Sequence, residues 1–122
     1  MKIALLVYET PEDFAARTDP EKSAAYLAAW PPYAGALYAA GLVLSGAGLE
    51  HPDTATTIRP TANGPLVQDG PFPETREQLG GYFLLEVPDM ETALDWAKKC
   101  PVGIGGRVEV RPALVPPALS GG

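Results

Sequence analysis

Ile3, Leu5 and Val7 alternate with Ala4, Leu6 and Tyr8, so the chain opens on a strand that is apolar on both faces. Both faces must therefore be covered. Asp19-Pro20-Glu21 supplies a helix start, with Asp as N-cap and Pro in the first turn, and Ala24, Tyr26, Leu27 and Trp30 follow at helical spacings. Pro31 and Pro32 lack the amides that bond back one turn, which predicts a kink or a break into two helices, the second running from Tyr33 to Ala40 and closed by Gly41. Leu42 to Ser45 reads as a second strand, entering a bulge or bend at Gly46-Ala47-Gly48. No third glycine follows that pair in register and no helical pattern comes after it, which argues against a dinucleotide-binding loop.

Glu50 to Asp53 is a polar turn. Thr54 to Arg59 is strand-like and should fold back on Pro65 to Gln68 about the Asn63-Gly64 turn. Tyr82 to Val87 is a strand by composition. Pro88-Asp89 then opens a helix with an apolar stripe of Met90, Ala93, Leu94 and Ala97, broadened by Trp96 and Cys100 and ended by Pro101. Arg107 to Arg111 alternates strictly, with Val108 and Val110 on one face. Residues 113–122, with Pro116-Pro117 and a terminal Ser-Gly-Gly, predict an extended or disordered tail after a single domain over 1–112.

This order of strand, helix, strand, hairpin, strand, helix, strand is an α+β plan with two helices on one face of an antiparallel sheet. The other face should carry some of Ala4, Leu6, Tyr8, Arg107, Glu109 and Arg111, too apolar to be simply wet and too charged for a dry core. A second copy packed there would bury the apolar part and leave a lined cavity, so a homodimer is expected.

The most constrained stretch is Asp69-Gly70-Pro71-Phe72, continuing through Pro73, Glu74, Thr75, Arg76, Glu77, Gln78, Leu79, Gly80 and Gly81 to Tyr82. Asp69-Gly70 is a turn dipeptide, and Pro71 and Pro73 fix the backbone on either side of Phe72. Thr75 and Gln78 have the spacing of a capping box for one helical turn, with Glu74 and Glu77 at its negative-tolerant end, before Gly80-Gly81 releases the chain into the next strand. Such a stiff loop suits a pocket rim or a subunit contact. An ordinary turn with an aromatic anchor is the alternative.

That run, together with Thr54 to Arg59 upstream and with Asp95 to Pro101 and Val108 to Pro112 downstream, resembles the DGPF-type branch of the YCII-related family over roughly residues 1 to 112. The resemblance implies a ferredoxin-like subunit, with an added β-hairpin, that pairs into a dimeric α+β barrel. Among better-known YCII-like proteins it implies a histidine on the first helix as the proposed acid or base, a position that falls at or near Trp30 here. It also implies association of DGPF-type proteins with extracytoplasmic-function sigma factors, hence an accessory role through a protein partner.

Fifteen acidic against nine basic residues give a net charge of -6, which disfavours a phosphate backbone as partner. The longest apolar runs are far too short to span a bilayer, and the first residues lack the pattern of a signal peptide, so a cytoplasmic protein is expected. Cys100 is the sole cysteine and reads as a packing residue. One histidine among scattered carboxylates has no metal-ligand spacing, and neither a metal nor a cofactor is expected.

His51 is the single imidazole, with Asp53 near enough to orient it, although a histidine in such a turn is most often simply solvated. Asp69 is the favoured carboxylate, able to orient a ligand or take a proton, the alternative being a turn carboxylate bonded to backbone amides. Around it the candidate pocket comprises Tyr8, Trp30, Arg59, Gly70, Pro71, Phe72, Glu74 and Tyr82. The functions these residues allow are binding of a small organic ligand at the dimer sheet, a cofactor-independent isomerase or lyase-like reaction with Asp69 as base, and the accessory role.

Overall fold

A computed structural model describes residues 1–71 and 76–114. Along the chain come β1 (Lys2–Glu9), α1 (Pro11–Ala16), α2 (Ser23–Ala39), β2 (Val43–Gly48), a one-turn 3-10 segment (Pro52–Thr54), β3 (Thr56–Thr61), β4 (Gly64–Asp69), β5 (Gln78–Glu86), α3 (Met90–Lys98) and β6 (Arg107–Pro112). The main sheet is antiparallel in the order β2-β5-β1-β6, and β3 and β4 pair as a separate two-stranded sheet. Each of α2 and α3 therefore connects two strands with a third between them, the split βαβ arrangement of a ferredoxin-like α+β fold.

The alternation in β1 sets which face is inside. Ile3, Leu5 and Val7 are buried and sit opposite Leu85, Phe83 and Gly81 of β5 and Pro112, Val110 and Val108 of β6. Tyr33 and Leu37 from α2 and Ala93 from α3 close the core over them. Ala4, Leu6 and Tyr8 lie on the reverse face with Arg111, Glu109 and Arg107 in register, as the sequence predicts. Arg107 stacks its guanidinium 3.9 Å from the centre of the Tyr8 ring.

Several local expectations change. The double proline does not break the helix: Ser23–Ala39 is continuous with Pro31 and Pro32 inside it. Both prolines are exposed, so the carbonyls they leave without an amide partner can be hydrated, while buried Tyr33 and Leu37 anchor the segment beyond them. Asp19 caps a turn rather than the helix itself, its Oδ1 accepting the Glu21 amide at 2.9 Å and its carbonyl the amides of Lys22 and Ser23. The short helix α1 precedes it, started by a capping box in which Thr10 and Asp13 each bond the other's backbone amide, with Pro11 in the first turn.

Gly46 to Gly48 continue as strand, and the irregularity of β2 lies earlier, between Val43 and Ser45. A Cβ at Gly46 would stand 2.9 Å from the Tyr82 carbonyl oxygen, so its smallness serves strand packing rather than a bend. Strand β3 begins after the 3-10 turn, and the hairpin pairs Thr61 with Gly64 across Ala62-Asn63. β5 starts at Gln78, so Gln78 does not close a helical turn and Gly80-Gly81 lie within the strand. Thr75 and the tail from residue 115 onward lie outside the described residues. No helix among the described residues is long and apolar enough to cross a membrane.

Candidate functional site

The inward alternation of β1 does not stop at Val7. Continued by two residues it puts Glu9 on the core-facing side, and Glu9 is 2% exposed. A buried carboxylate is costly unless paired and hydrogen-bonded. Helix α1 is short enough to return the chain, so that its C-cap residue Arg17 meets Glu9, Nη2 to Oε1, at 2.8 Å. Tyr26, in the first turn of α2, brings its hydroxyl to 3.2 Å from Glu9 Oε2 and accepts a bond from Arg17 Nε at 3.0 Å. Arg17 Nη2 also donates to the Gly80 carbonyl at 3.1 Å, and Nη1 donates to the Leu49 carbonyl. Phe14 and Tyr26 present their rings to the guanidinium at 4.7 and 5.7 Å.

β5 is built around this cluster. Between the pairs Val7–Gly81 and Tyr8–Leu79, Gly80 is an extra residue, a β-bulge of the kind that turns backbone groups toward a site. A Cβ on Gly80 would lie 2.9 Å from Glu9 Cδ, so the carboxylate occupies the space a side chain would need. The freed carbonyl accepts both the Leu49 amide, at 2.8 Å, and Arg17.

Burial works against the Arg17 charge, but bonding to Glu9 and its negative charge outweigh that effect and hold the guanidinium more firmly protonated. Burial, reinforced by the Glu9 charge, raises the Tyr26 hydroxyl above its ordinary range. Tyr26 therefore stays a neutral phenol. The three groups floor a cleft of about 510 Å³ whose walls are largely apolar, with Leu27, Trp30 and Tyr38 from α2 on one side and Ala47, Gly81 and Phe83 from the sheet on the other. From Trp30 an aromatic chain continues inward, edge-on to Tyr33 at 6.0 Å and from there to Phe83 and Trp96.

The expected site residues are distributed differently. Trp30 borders this cleft, and so does Tyr82, although its register partner Leu6 belongs to the reverse face of the sheet. Asp69 is exposed at the end of β4, where it pairs with Thr56, and is not among the residues lining the cleft. Gly70 adopts φ +94°, as the turn reading requires, and is tied to the hairpin base by its amide on Ala55 O and by Thr57 Oγ1 on its carbonyl, each at 2.7 Å. Arg59 is exposed on β3 opposite Leu66, and Tyr8 lies on the reverse sheet face. Phe72 and Glu74 lie outside the described residues.

Pro71 borders a smaller recess of about 350 Å³ with Phe14, His51, Asp53 and Arg76. There His51 Nδ1 accepts the Asp53 amide at 3.1 Å and caps the 3-10 turn, 3.4 Å from the Asp53 carboxylate. Arg76 pairs with Glu12 at 2.8 Å. Among the described residues no cluster of three or more His, Cys, Asp or Glu side chains could hold a metal ion.

Glu9 is the residue that sequence reasoning passed over, and its signal was present: an acid at the fourth inward position of an alternating apolar strand. Thr10-Pro11-Glu12-Asp13 likewise carried the signature of a capped helix. Arg17 and Tyr26 had no comparable local mark, because their meeting depends on how α1 turns the chain back.

A family model for the YCII-related domain matches residues 1–115. An uncharacterised protein of Rhizobium meliloti (strain 1021), R00369, is 46% identical over 44 residues, a stretch that spans 36% of this chain and 36% of that protein. With the ferredoxin-like sheet order already in hand, a match over nearly the whole described chain means that the protein belongs to the YCII-related domain family.

Proposed function

We propose that the protein binds a small organic molecule in the cleft above Glu9, Arg17 and Tyr26. The reading is carried by a carboxylate whose side chain is only 3% exposed yet borders an otherwise apolar cleft of about 510 Å³. That volume lies within the ~300–1,000 Å³ usual for small-molecule sites, which combine apolar walls with a few fixed polar groups. A fold that needed only packing would be served as well by an apolar residue at position 9.

The test is a ligand-detected NMR screen of metabolites against the wild type and Leu27→Trp. Leu27 lines the cleft but is 60% exposed, so an indole there occupies the opening without disturbing the core. Compounds that bind the wild type should lose their signal with the variant while its circular dichroism is unchanged. Equal binding to both would refute the assignment.

A second reading, a cofactor-independent isomerase or lyase-like reaction, has two carboxylates available, Asp69 and Glu9. Glu9 is favoured because it is buried beside the cleft and accepts the Tyr26 hydroxyl at 3.2 Å, whereas Asp69 is exposed and does not line the cleft. With a substrate in hand, Glu9→Gln should abolish turnover and Asp69→Asn should leave most of it, and the reverse ordering would return the role to Asp69. The homodimer is a separate expectation, supported by half-buried Ala4, Leu6, Tyr82 and Leu84 at register positions of the sheet face opposite the helices.

A further inference from the structure

From the bonding inventory of the cleft we infer that its ligand is an uncharged, flat molecule bearing a hydroxyl or amide donor, rather than a carboxylate or phosphate. The inference rests on the reading of the cleft as a binding site and adds the chemical class.

An arginine beside a pocket ordinarily suggests an anion. Here four of the five N–H donors of Arg17 are taken: Nε bonds Tyr26, one N–H of Nη1 bonds Leu49 O, and Nη2 bonds both Glu9 and Gly80 O. One N–H of Nη1 remains, so the planar fork that would grip an anion with two parallel bonds is not available. The Tyr26 proton is also committed, since it lies toward Glu9, while the oxygen accepts from Arg17.

Glu9 is different. A carboxylate has roughly four acceptor positions, and Arg17 and Tyr26 together supply fewer bonds than that. Apart from that single N–H, the unused capacity of the cluster is acceptor capacity on Glu9 and Tyr26, and an incoming donor would complete it. An anion would meet that carboxylate with at most one guanidinium N–H to offset the repulsion. A cation would be attracted to Glu9 but would lie close to Arg17, itself 2.8 Å away. A neutral donor avoids both costs.

The walls define the rest of the ligand. Trp30 and Tyr38 on α2 line the cleft together with a strand surface kept free of side chains at Gly46, Gly48 and Gly81, which leaves room for a planar ring with its edge toward Glu9.

The test is calorimetric titration of the whole chain, near neutral pH, with naphthol, naphthoate and naphthylmethylamine, which share a ring system and differ in the charge of the donor or acceptor. Naphthol should bind at least about tenfold more tightly than either ion. Glu9→Gln should weaken naphthol about tenfold or more, and Leu27→Trp, which leaves the polar cluster untouched, should abolish its binding. Tighter binding of naphthoate or of the amine would overturn the ligand class while leaving the cleft as a site. Failure of all three to bind, or naphthol binding undiminished in Leu27→Trp, would overturn the site as well.

Discussion

At the scale of single residues, the Glu9–Arg17 pair illustrates the difference between what an interaction contributes and what its loss costs. Two charges brought out of water roughly cancel in net stability when paired, but removing one partner leaves the other stranded. Arg17→Met should therefore destabilise the fold by ~3–5 kcal/mol, whereas Glu9→Leu with Arg17→Met should recover most of that loss. Urea denaturation of both singles and the double checks this as a cycle. Simple additivity would mean that the two side chains do not act as a pair.

Cys100 makes a second residue-scale prediction. Burial pushes its thiol up to about 12, with the charge of Glu9 acting in the same direction and the Tyr33 hydroxyl against it. The folded pKa is raised, so the stabilisation is complete below the unfolded value near 9 and is lost as pH rises toward 12, because the unfolded chain releases that proton first. Tyr33 and Tyr26, also raised by burial, slope the same way. Stability measured across this window should fall with pH, and less steeply in Cys100→Ala. An unchanged slope in the variant would remove Cys100 from the account.

Elements obey their neighbours as much as their own residues, and α2 shows this most directly. Taken locally, Pro31-Pro32 ends a helix. In the fold, Tyr33 and Leu37 are buried on the far side of the prolines, and their packing holds the helix through a site where local preference opposes it. Pro32 is exposed, and replacing it restores an amide able to bond the carbonyl one turn back. Pro32→Ala should raise stability by ~1–3 kcal/mol, read as a higher midpoint in urea. A decrease would show that the proline is needed for the path of the helix.

The same contrast explains what the sequence made legible. The strand alternations of Ile3 to Val7 and Arg107 to Arg111, the helix start at Pro88-Asp89 and the hairpin about residue 63 depend on local chemistry, and they were readable. The Glu9 cluster joins β1, α1, α2 and a bulge at Gly80, four places that no local pattern connects. Gly80-Gly81 read as a release from a loop because glycine ordinarily weakens a strand, whereas here the space it leaves is filled by the Glu9 carboxylate and by β2.

The whole molecule presents two unlike sheet faces. One is closed by α2 and α3. The other mixes Ala4, Leu6, Tyr82 and Leu84 with the Arg107, Glu109 and Arg111 ion pairs, and a second copy would bury its apolar half. Sedimentation should give a dimer at micromolar concentration, and Leu6→Arg, in the middle of that face, should give a folded monomer. A wild-type monomer, or a dimer indifferent to position 6, would move the association surface elsewhere, with the exposed Ile58 and Val67 of the hairpin the next place to look. The cleft opens on the helix-bearing side, so ligand binding and pairing through the sheet face are separable, and Leu6→Arg should still bind naphthol.

The measurement that bears most directly on the whole account is a crystal structure of the protein with naphthol bound. The ring should lie between Trp30 and the Gly81 stretch of β5 with its hydroxyl donating to Glu9, while Arg17 and Tyr26 keep their bonds. Density for the ligand beside Asp69 and the hairpin base, with the Glu9 cleft closed or empty, would contradict the assignment and return attention to Asp69 and Gly70.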